Sequence, residues 1–321
     1  MSGFVFNIDM MTQMGNSRDL IPMKIKEKMA EDPQIMYFVS DAATKGSHVA
    51  EMVEKYPDRC IDVGIAEPDL VGAAAGAALS GKKCFGQAFG PFLSVRATDQ
   101  ILLDVAYNKA PVCLIGTHGG LTSGGGPTHY TIMDSTIIRA IPGMTMVVPS
   151  DANQCLKVLE DFIANPRPIY VRIARGEEPL VYESQEYDFK IGKAIVAREG
   201  SDITLIGDGI GVYNALQAAE LLEREGISAR VLDMHTVKPM DADAVLQAAK
   251  ETGGIITVED HSIIGGLGGG VAEILAESGI PAKLKRLGVP DVFAKLGYPE
   301  QLYPLYGYDA QGIVKAAKSI L

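Results

Sequence analysis

Glu67 is the strongest candidate for a chemical role in the chain, because it is an acid that opens a helix made almost entirely of small residues. It lies in the segment VGIAEPDLVGAAAGAALSG, after a strand-like stretch. An acid at a helix N-terminus has an ordinary explanation, since it interacts favourably with the helix dipole. The run GAAAGAA favours a further role for Glu67. It has so little side-chain bulk that a partner helix or a planar ligand would pack closely against its backbone.

Two phenylalanines follow in FGQAFGPFLSVRATDQ, a segment that predicts a strand and then a helix. Phe89 and Phe92 lie near the start of that helix, where aromatic residues commonly belong to the core. Aromatic rings also stack on flat groups. Phe92 could therefore stack on a heterocycle instead of packing in the core, and the pattern leaves these two possibilities open.

Two of the five histidines lie in one polar, glycine-rich loop, GTHGGLTSGGGPTHY. His118 stands at the end of the strand-like run APVCLIGTH, and His129 stands at the far end of the loop. In parallel sheets, ligands bind outside the carboxyl ends of strands, and histidine can shuttle protons or hold an anion. Either histidine alone could merely cap a turn, but together they predict a loop that faces a ligand.

Composition excludes several classes of function. The net charge of −11 argues against binding to nucleic acid or to an anionic membrane. No window approaches 18 uninterrupted apolar residues, so we expect no membrane span. The N-terminus lacks a signal-peptide pattern. The four cysteines have neither CxxC nor metal spacing, which predicts free thiols, a reducing cytoplasm and no metal site in this chain.

Strand-like and helix-like segments alternate along the chain, which is typical of α/β folds with parallel sheets. The alternation stops in the polar stretch GEEPLVYESQEYDFKIGKA and restarts at SDITLIGDG. We therefore predict two doubly wound domains, at 1–180 and 195–321, joined by a linker at 181–194.

Six motifs together resemble the C-terminal half of the transketolase family. They are GIAEPDLVGAAAG, FGPFLSVRATDQI, GTHGGL followed by GPTH, VVPSDANQ, HTVKPMD and TVEDHSIIGGLGG. Each is weak alone, but six in the right order cover nearly the whole chain. The resemblance implies a pyrimidine-binding domain with a mostly parallel sheet, followed by a transketolase C-terminal domain.

The resemblance implies thiamine diphosphate as cofactor and a partner chain that completes the enzyme. The diphosphate-binding domain of the family, with its metal-binding GDG and Asn, has no counterpart in these motifs. GDG at 207–209 is followed, at the distance of that Asn, by DMHTVKPMD without one, and GGLGGG at 265–270 has the wrong spacing for a dinucleotide loop. We interpret both clusters as turn glycines. An N-terminal, diphosphate-binding subunit would hold the Mg²⁺, in a heterotetramer with two copies of each chain.

The resemblance also implies which residues meet the cofactor. Glu67 would face N1′ of its aminopyrimidine, so that the cofactor's own amino group can accept the proton from C2. Phe92 would stack on the pyrimidine, with Phe89 nearby. Asp41 would lie near the cofactor across the contact between subunits.

The remaining implied roles concern a sugar or sugar phosphate substrate. His118 and His129 would line the substrate channel as catalytic residues. Arg18 and Arg175 would grip a phosphate, because the arginine fork meets an oxyanion bidentately, with Ser47 a weaker candidate. Arg175 could instead form an interdomain salt bridge.

Three positions depart from the family pattern. Gly124-Gly125-Gly126 replaces the usual EDG, so the acid that meets a sugar hydroxyl is absent. Thr98 stands where an aromatic residue is common, and Pro68 replaces a polar residue. Ordinary pentose-phosphate specificity therefore does not follow, and a sulfonated, branched or deoxy sugar becomes a candidate donor.

The leading hypothesis is transfer of a two-carbon ketol unit from a ketose to an aldose. One alternative is the β subunit of a 2-oxo acid dehydrogenase, or an enzyme like deoxyxylulose-phosphate synthase, which would use a 2-oxo acid donor. The paired His118 and His129 favour the ketose. Another alternative is a catalytically silent scaffold subunit, which the glycine loop favours and which Glu67 and Phe92 oppose.

Overall fold

A computed structural model describes residues 14–122, 124–184 and 186–321. Residues 1–13, which belong to the predicted first domain, lie outside the described residues. The strands are β1 (Met14–Gly15), β2 (Ile35–Val39), β3 (Cys60–Asp62), β4 (Lys83–Phe89), β5 (Val112–Thr117), β6 (Thr145–Val147), β7 (Ile169–Arg172), β8 (Glu178–Pro179), β9 (Ile195–Arg198), β10 (Ile203–Gly207), β11 (Ala229–Asp233), β12 (Thr236–Lys238), β13 (Ile255–Ser262) and β14 (Leu284–Val289).

The helices complete an alternating α/β order. They are α1 (Ser17–Glu31), α2 (His48–Lys55), α3 (Glu67–Leu79), α4 (Thr98–Gln100), α5 (Asp134–Ala140), α6 (Ala152–Ala164), α7 (Ile210–Arg224), α8 (Ala242–Glu251), α9 (Leu267–Ser278), α10 (Pro299–Tyr306) and α11 (Ala310–Ile320). Short α4 lies between two π-helical turns, Phe92–Arg96 and Ile101–Tyr107.

Two sheets organise the described chain, and both are mostly parallel. The first has the order β12-β6-β7-β5-β4-β2-β3, with β12 alone antiparallel. The second has the order β14-β13-β10-β11-β9, with β9 alone antiparallel. This architecture confirms the predicted α/β class with parallel sheets. Strands β1 and β8 form a separate antiparallel pair.

Helices cover both faces of each sheet, so the apolar strands are buried on both sides, as parallel sheets require. On the first sheet, α1, α2 and α6 pack on one face, and α3 with the π-helical turns packs on the other. On the second sheet, α7 and α11 lie opposite α8 and α9. Strand β12 lies within the predicted second domain but pairs with β6, so the two units share a sheet edge.

The glycine cluster GGLGGG opens α9, and a carboxylate of the chain itself occupies that helix end. Glu259 accepts hydrogen bonds from the amides of Leu267 and Gly268, each at 2.8 Å. A helix N-terminus is a ready anion site, and here the anion is internal. A Cβ on Gly266 would lie 2.0 Å from Oε2 of Glu259, so this turn has no room for a side chain.

Candidate active site

Four of the predicted site residues form one cluster of rings at the carboxyl ends of β4 and β5. The ring of Phe89 stacks on His118 with 3.8 Å between centroids, and on Phe92 with 5.8 Å. His129 meets both phenylalanines edge-on, at 6.3 and 5.7 Å. The carboxyl ends of neighbouring parallel strands meet at one edge of the sheet, which explains why residues from separate motifs converge here.

His118 is buried and neutral at physiological pH. Burial, together with the charges of Arg175, Arg18 and His129, lowers the pKa of its imidazole to about 3. Its backbone has φ +62°, a left-handed conformation that few residues other than glycine adopt. The Nδ1 atom lies 2.8 Å from the hydroxyl of Thr117. Because Nδ1 faces Thr117, Nε2 is the ring atom that can exchange a hydrogen bond with a substrate.

Glu67 is the first residue of α3, and its carboxylate is buried. Oε1 accepts a hydrogen bond from the Ser40 hydroxyl at 3.1 Å, and Oε2 accepts one from Nη1 of Arg96 at 2.5 Å. The guanidinium of Arg96 lies 4.6 Å from the centroid of the Phe92 ring. Arg96 therefore joins the acid to the ring cluster, a role that the sequence reasoning missed. The one available signal was its position four residues after Phe92.

A cavity of about 380 Å³ lies beside Phe89 and collects three further predicted residues, Arg18, Asp41 and Ser47. Asp41 adopts φ +49°, and its amide donates to Oδ1 of Asp62 at 3.0 Å. Ser47 has a structural task as well, because its hydroxyl caps α2 by accepting from the Ala50 amide.

A wider groove of about 730 Å³ lies on the other side of the ring cluster, between the two sheets. Phe92 and Arg96 form one wall, and Met133 and Phe293 contribute to the rest. Half of the Met133 side chain is exposed, and Phe293 is 96% exposed. The open, apolar character of this groove suits a ligand or a partner surface.

Arg175 lies at a third cavity, of about 440 Å³, which also runs between the sheets. Its amide donates to the hydroxyl of Thr122 at 3.2 Å. The buried contact between the sheets is made by Arg172, which pairs with Asp134 and donates to the carbonyl of Asp260 at 2.8 Å. This network was not predicted, because the charge lies inside an apolar strand.

Comparison with protein families assigns both halves of the chain. The pyrimidine-binding domain of transketolase matches residues 14–179, and the transketolase C-terminal domain matches residues 192–313. The chain belongs to the transketolase family. The predicted family and domain types are thereby confirmed, and thiamine diphosphate dependence follows for the family.

Several relatives have transketolase names. A subunit of an apulose-4-phosphate transketolase from Phocaeicola vulgatus is 40% identical over 91% of this chain and 93% of its own length. A subunit of a 6-deoxy-6-sulfo-D-fructose transketolase from Clostridium sp. is 40% identical over 94% of each chain. A 1-deoxy-D-xylulose-5-phosphate synthase from Geobacter sulfurreducens is 37% identical but is matched over only 46% of its length.

A solved structure described as a split gene transketolase, an inactive β4 tetramer, has the same architecture. It matches with a TM-score of 0.87 and 36% identity, over 96% of this chain and 99% of that chain. The matched domains and these relatives identify the chain as a transferase, and two of the relatives are named as transketolase subunits. Within the described residues, no helix is long and apolar enough to cross a membrane.

Proposed function

We propose that this chain works with an N-terminal subunit to move a two-carbon ketol unit from a ketose to an aldose. The observation that carries the proposal is the buried Glu67 carboxylate, which Arg96 links to a face of the Phe92 ring. A carboxylate beside an aromatic face fits the pyrimidine half of thiamine diphosphate. We also propose the domain limits 1–180 and 195–321, with a linker at 181–194.

Each predicted residue then has a chemical task. When bound, thiamine diphosphate supplies the nucleophile and electron sink that carbon–carbon cleavage needs. Glu67 would hold a hydrogen bond to the pyrimidine N1′, and Phe92, with Phe89 behind it, would support the ring. Neutral His118 and, at the loop end, His129 exchange hydrogen bonds and protons with the sugar.

Substrate and partner contacts fall to the residues around this centre. Arg18 and Arg175 bind a phosphate or sulfonate, which is supported by the influence of both charges on the pKa of His118. Ser47 lines the same cavity as Arg18. Asp41, on that cavity's wall, meets the cofactor across the contact between subunits.

The donor is a modified ketose, on two grounds. The relatives with subunit names are called apulose-4-phosphate and 6-deoxy-6-sulfo-D-fructose transketolases. In this chain the loop that usually carries an acid has Gly124, where a Cβ would lie 2.9 Å from the Tyr298 ring. Tyr298, from the C-terminal domain, therefore lies next to Gly124, where the usual acidic side chain would stand.

The diphosphate and Mg²⁺ sites come from the partner chain. Among the described residues, no group of three or more His, Cys, Asp or Glu side chains could hold a metal ion. Helix α3 and the turn Ile101–Tyr107 expose Leu79, Leu103 and Tyr107, at 57, 48 and 81%. Such an apolar surface suits a protein contact, and we propose a heterotetramer of two copies of each chain. The buried free thiols support a cytoplasmic site of action.

Reconstitution tests the function. The chain is purified alone and with its co-purifying partner, then supplied with thiamine diphosphate, Mg²⁺ and an aldose acceptor. The donor panel contains 6-deoxy-6-sulfofructose, apulose-4-phosphate, an unmodified ketose phosphate and pyruvate. We expect no turnover by the chain alone and turnover of a ketose by the complex.

Two variants separate the proposed site from its surroundings. Glu67→Gln should lower turnover by about 10²–10⁴-fold, the usual contribution of a proton-transfer group. Asp69→Asn, an exposed acid in the same first turn of α3, is the matched control and should behave like the parent. Turnover by the chain alone, preference for pyruvate, or a fully active Glu67→Gln complex would contradict the proposal, and a complex that is silent with every donor would favour a scaffold.

A further inference from the structure

The Arg96 side chain occupies the space between Glu67 and Phe92. Its Nη1 donates to Oε2 of Glu67 at 2.5 Å, while its Cζ lies 4.6 Å from the centroid of the Phe92 ring. One planar group thus satisfies a buried carboxylate and covers an aromatic face. These are the two contacts that the proposed function assigns to the aminopyrimidine of the cofactor.

Guanidinium and aminopyrimidine are chemically alike in the ways that matter here. Both are flat, both present polar nitrogen atoms at their edge, and both can stack on an aromatic ring. Two such groups cannot lie between the same carboxylate and the same ring face. If Glu67 and Phe92 receive the pyrimidine, Arg96 has to leave first.

Arg96 is placed so that it can leave. Its side chain is 46% exposed, whereas that of Glu67 is 3% exposed. Arg96 also lines the groove of about 730 Å³, which gives the long side chain room to turn outward. A half-exposed ion pair of this kind contributes little to stability, because solvent screens the mobile partner.

Before the cofactor binds, the buried carboxyl group of Glu67 needs hydrogen-bond partners from the chain itself. An ionised carboxylate that is buried without a partner is costly, and the Ser40 hydroxyl at 3.1 Å from Oε1 satisfies only one of its oxygens. Arg96 satisfies the other. The pairing therefore gives both oxygens of the buried carboxyl group a hydrogen-bond partner in the chain itself.

We propose that Arg96 is a placeholder for the cofactor's pyrimidine, holding Glu67 and covering Phe92 until the pyrimidine displaces it. This inference rests on the proposed function. It predicts a change in affinity. If Arg96 blocks the site in a fraction of the molecules, the apparent affinity for the ligand falls in proportion to the fraction in which the site is open. Removal of the guanidinium should then tighten binding of the cofactor.

Calorimetric titration of thiamine diphosphate with Mg²⁺ into the reconstituted complex tests this. Arg96→Met should bind about fivefold more tightly than the parent, which corresponds to about 1 kcal/mol. Arg96→Lys, which keeps the charge but loses the flat fork, should fall between them. In a Glu67→Gln background, Arg96→Met should tighten binding less, because the ion pair is already absent.

Arg59 offers a matched control, since its Cζ also lies 4.6 Å from an aromatic centroid, that of Tyr56, and it donates to Met29 and Asp32 instead of Glu67. Arg59→Met should leave cofactor affinity unchanged. Equal or weaker binding by both Arg96 variants would overturn the placeholder and assign Arg96 a supporting role. If neither the parent complex nor any variant binds thiamine diphosphate, the proposed function fails instead. A variant that does not fold is replaced in the comparison by the other Arg96 substitution.

Discussion

The imidazole of His118 stacks on the ring of Phe89, with 3.8 Å between their centroids and 29° between their planes. A stack this close leaves no room for water on that face. Burial consequently lowers the pKa of His118 to about 3, from an ordinary value of 6.5. The histidine is held neutral by packing as well as by the nearby arginines.

The pH dependence of stability follows from that pKa. A histidine whose folded pKa is depressed contributes stability that is present above its unfolded pKa and lost as pH falls below it, because only the unfolded chain takes up the proton. Between pH 7 and pH 5 the parent should lose about 2 kcal/mol more free energy of unfolding than His118→Gln. Urea titrations at several pH values measure this. Parallel pH curves for the two proteins would show that His118 titrates normally.

The buried pair of Arg172 and Asp134 predicts a large loss of stability. Nε of Arg172 lies 2.9 Å from Asp134, and both side chains are almost fully buried. Removal of one member leaves an unpaired buried charge, so Arg172→Met should lower the free energy of unfolding by about 3–5 kcal/mol. Arg167, which pairs with Asp161 nearer the surface, is the control, and Arg167→Met should cost about 1 kcal/mol or less. Equal losses for the two variants would rule out this account.

Neighbouring glycines in α9 should respond in opposite directions to the same substitution. A Cβ on Gly268 would lie 2.6 Å from the Thr257 hydroxyl, whereas a Cβ on Gly269 would meet Nη1 of Arg139 at an ordinary 3.6 Å. Gly268→Ala should therefore cost about 1–3 kcal/mol through overpacking. Gly269→Ala should be neutral or should stabilise by up to about 1 kcal/mol, because alanine favours the helix. Thermal unfolding of both variants decides, and similar shifts in Tm would contradict the prediction.

The fold could be predicted because it depends on local patterns. Alternating strands and helices give parallel sheets, and the carboxyl end of a parallel strand is where ligands bind, which led to His118. Pairing of β12 with β6 could not be predicted in this way, since the partners are distant in the chain and periodicity says nothing about non-local pairing.

The site could be predicted in part for a similar reason. Phe89, Phe92 and His129 stand in recognisable motifs, and the structure brings their rings together. Arg96 was missed because its importance depends on side-chain direction within a π-helical turn, Phe92–Arg96, a rare geometry that is frequent at functional sites. Arg172 was missed because a charged residue in a buried strand has no meaning until its partners are known.

The glycine loop allows a direct test of donor preference. A side chain at Gly124 would first meet the far end of the Tyr298 ring, which is 64% exposed and can move, so substitution there should be tolerated. Gly126 is different, because its φ of +74° is left-handed and a Cβ would lie 2.9 Å from Leu296. Gly126→Ala should therefore cost about 1–2 kcal/mol of stability or more, whereas Gly124→Ala should cost less.

Gly124→Glu returns an acid to this loop and should shift the complex toward an unmodified ketose phosphate. A hydrogen bond to a charged group contributes about 1.5–3 kcal/mol, so the kcat/KM ratio of unmodified to modified donor should rise about tenfold or more. Gly124→Gln, of similar size but uncharged, should change the ratio less. If both variants leave the ratio at the parent value, the loop does not face the donor, and the glycines serve only to admit Tyr298.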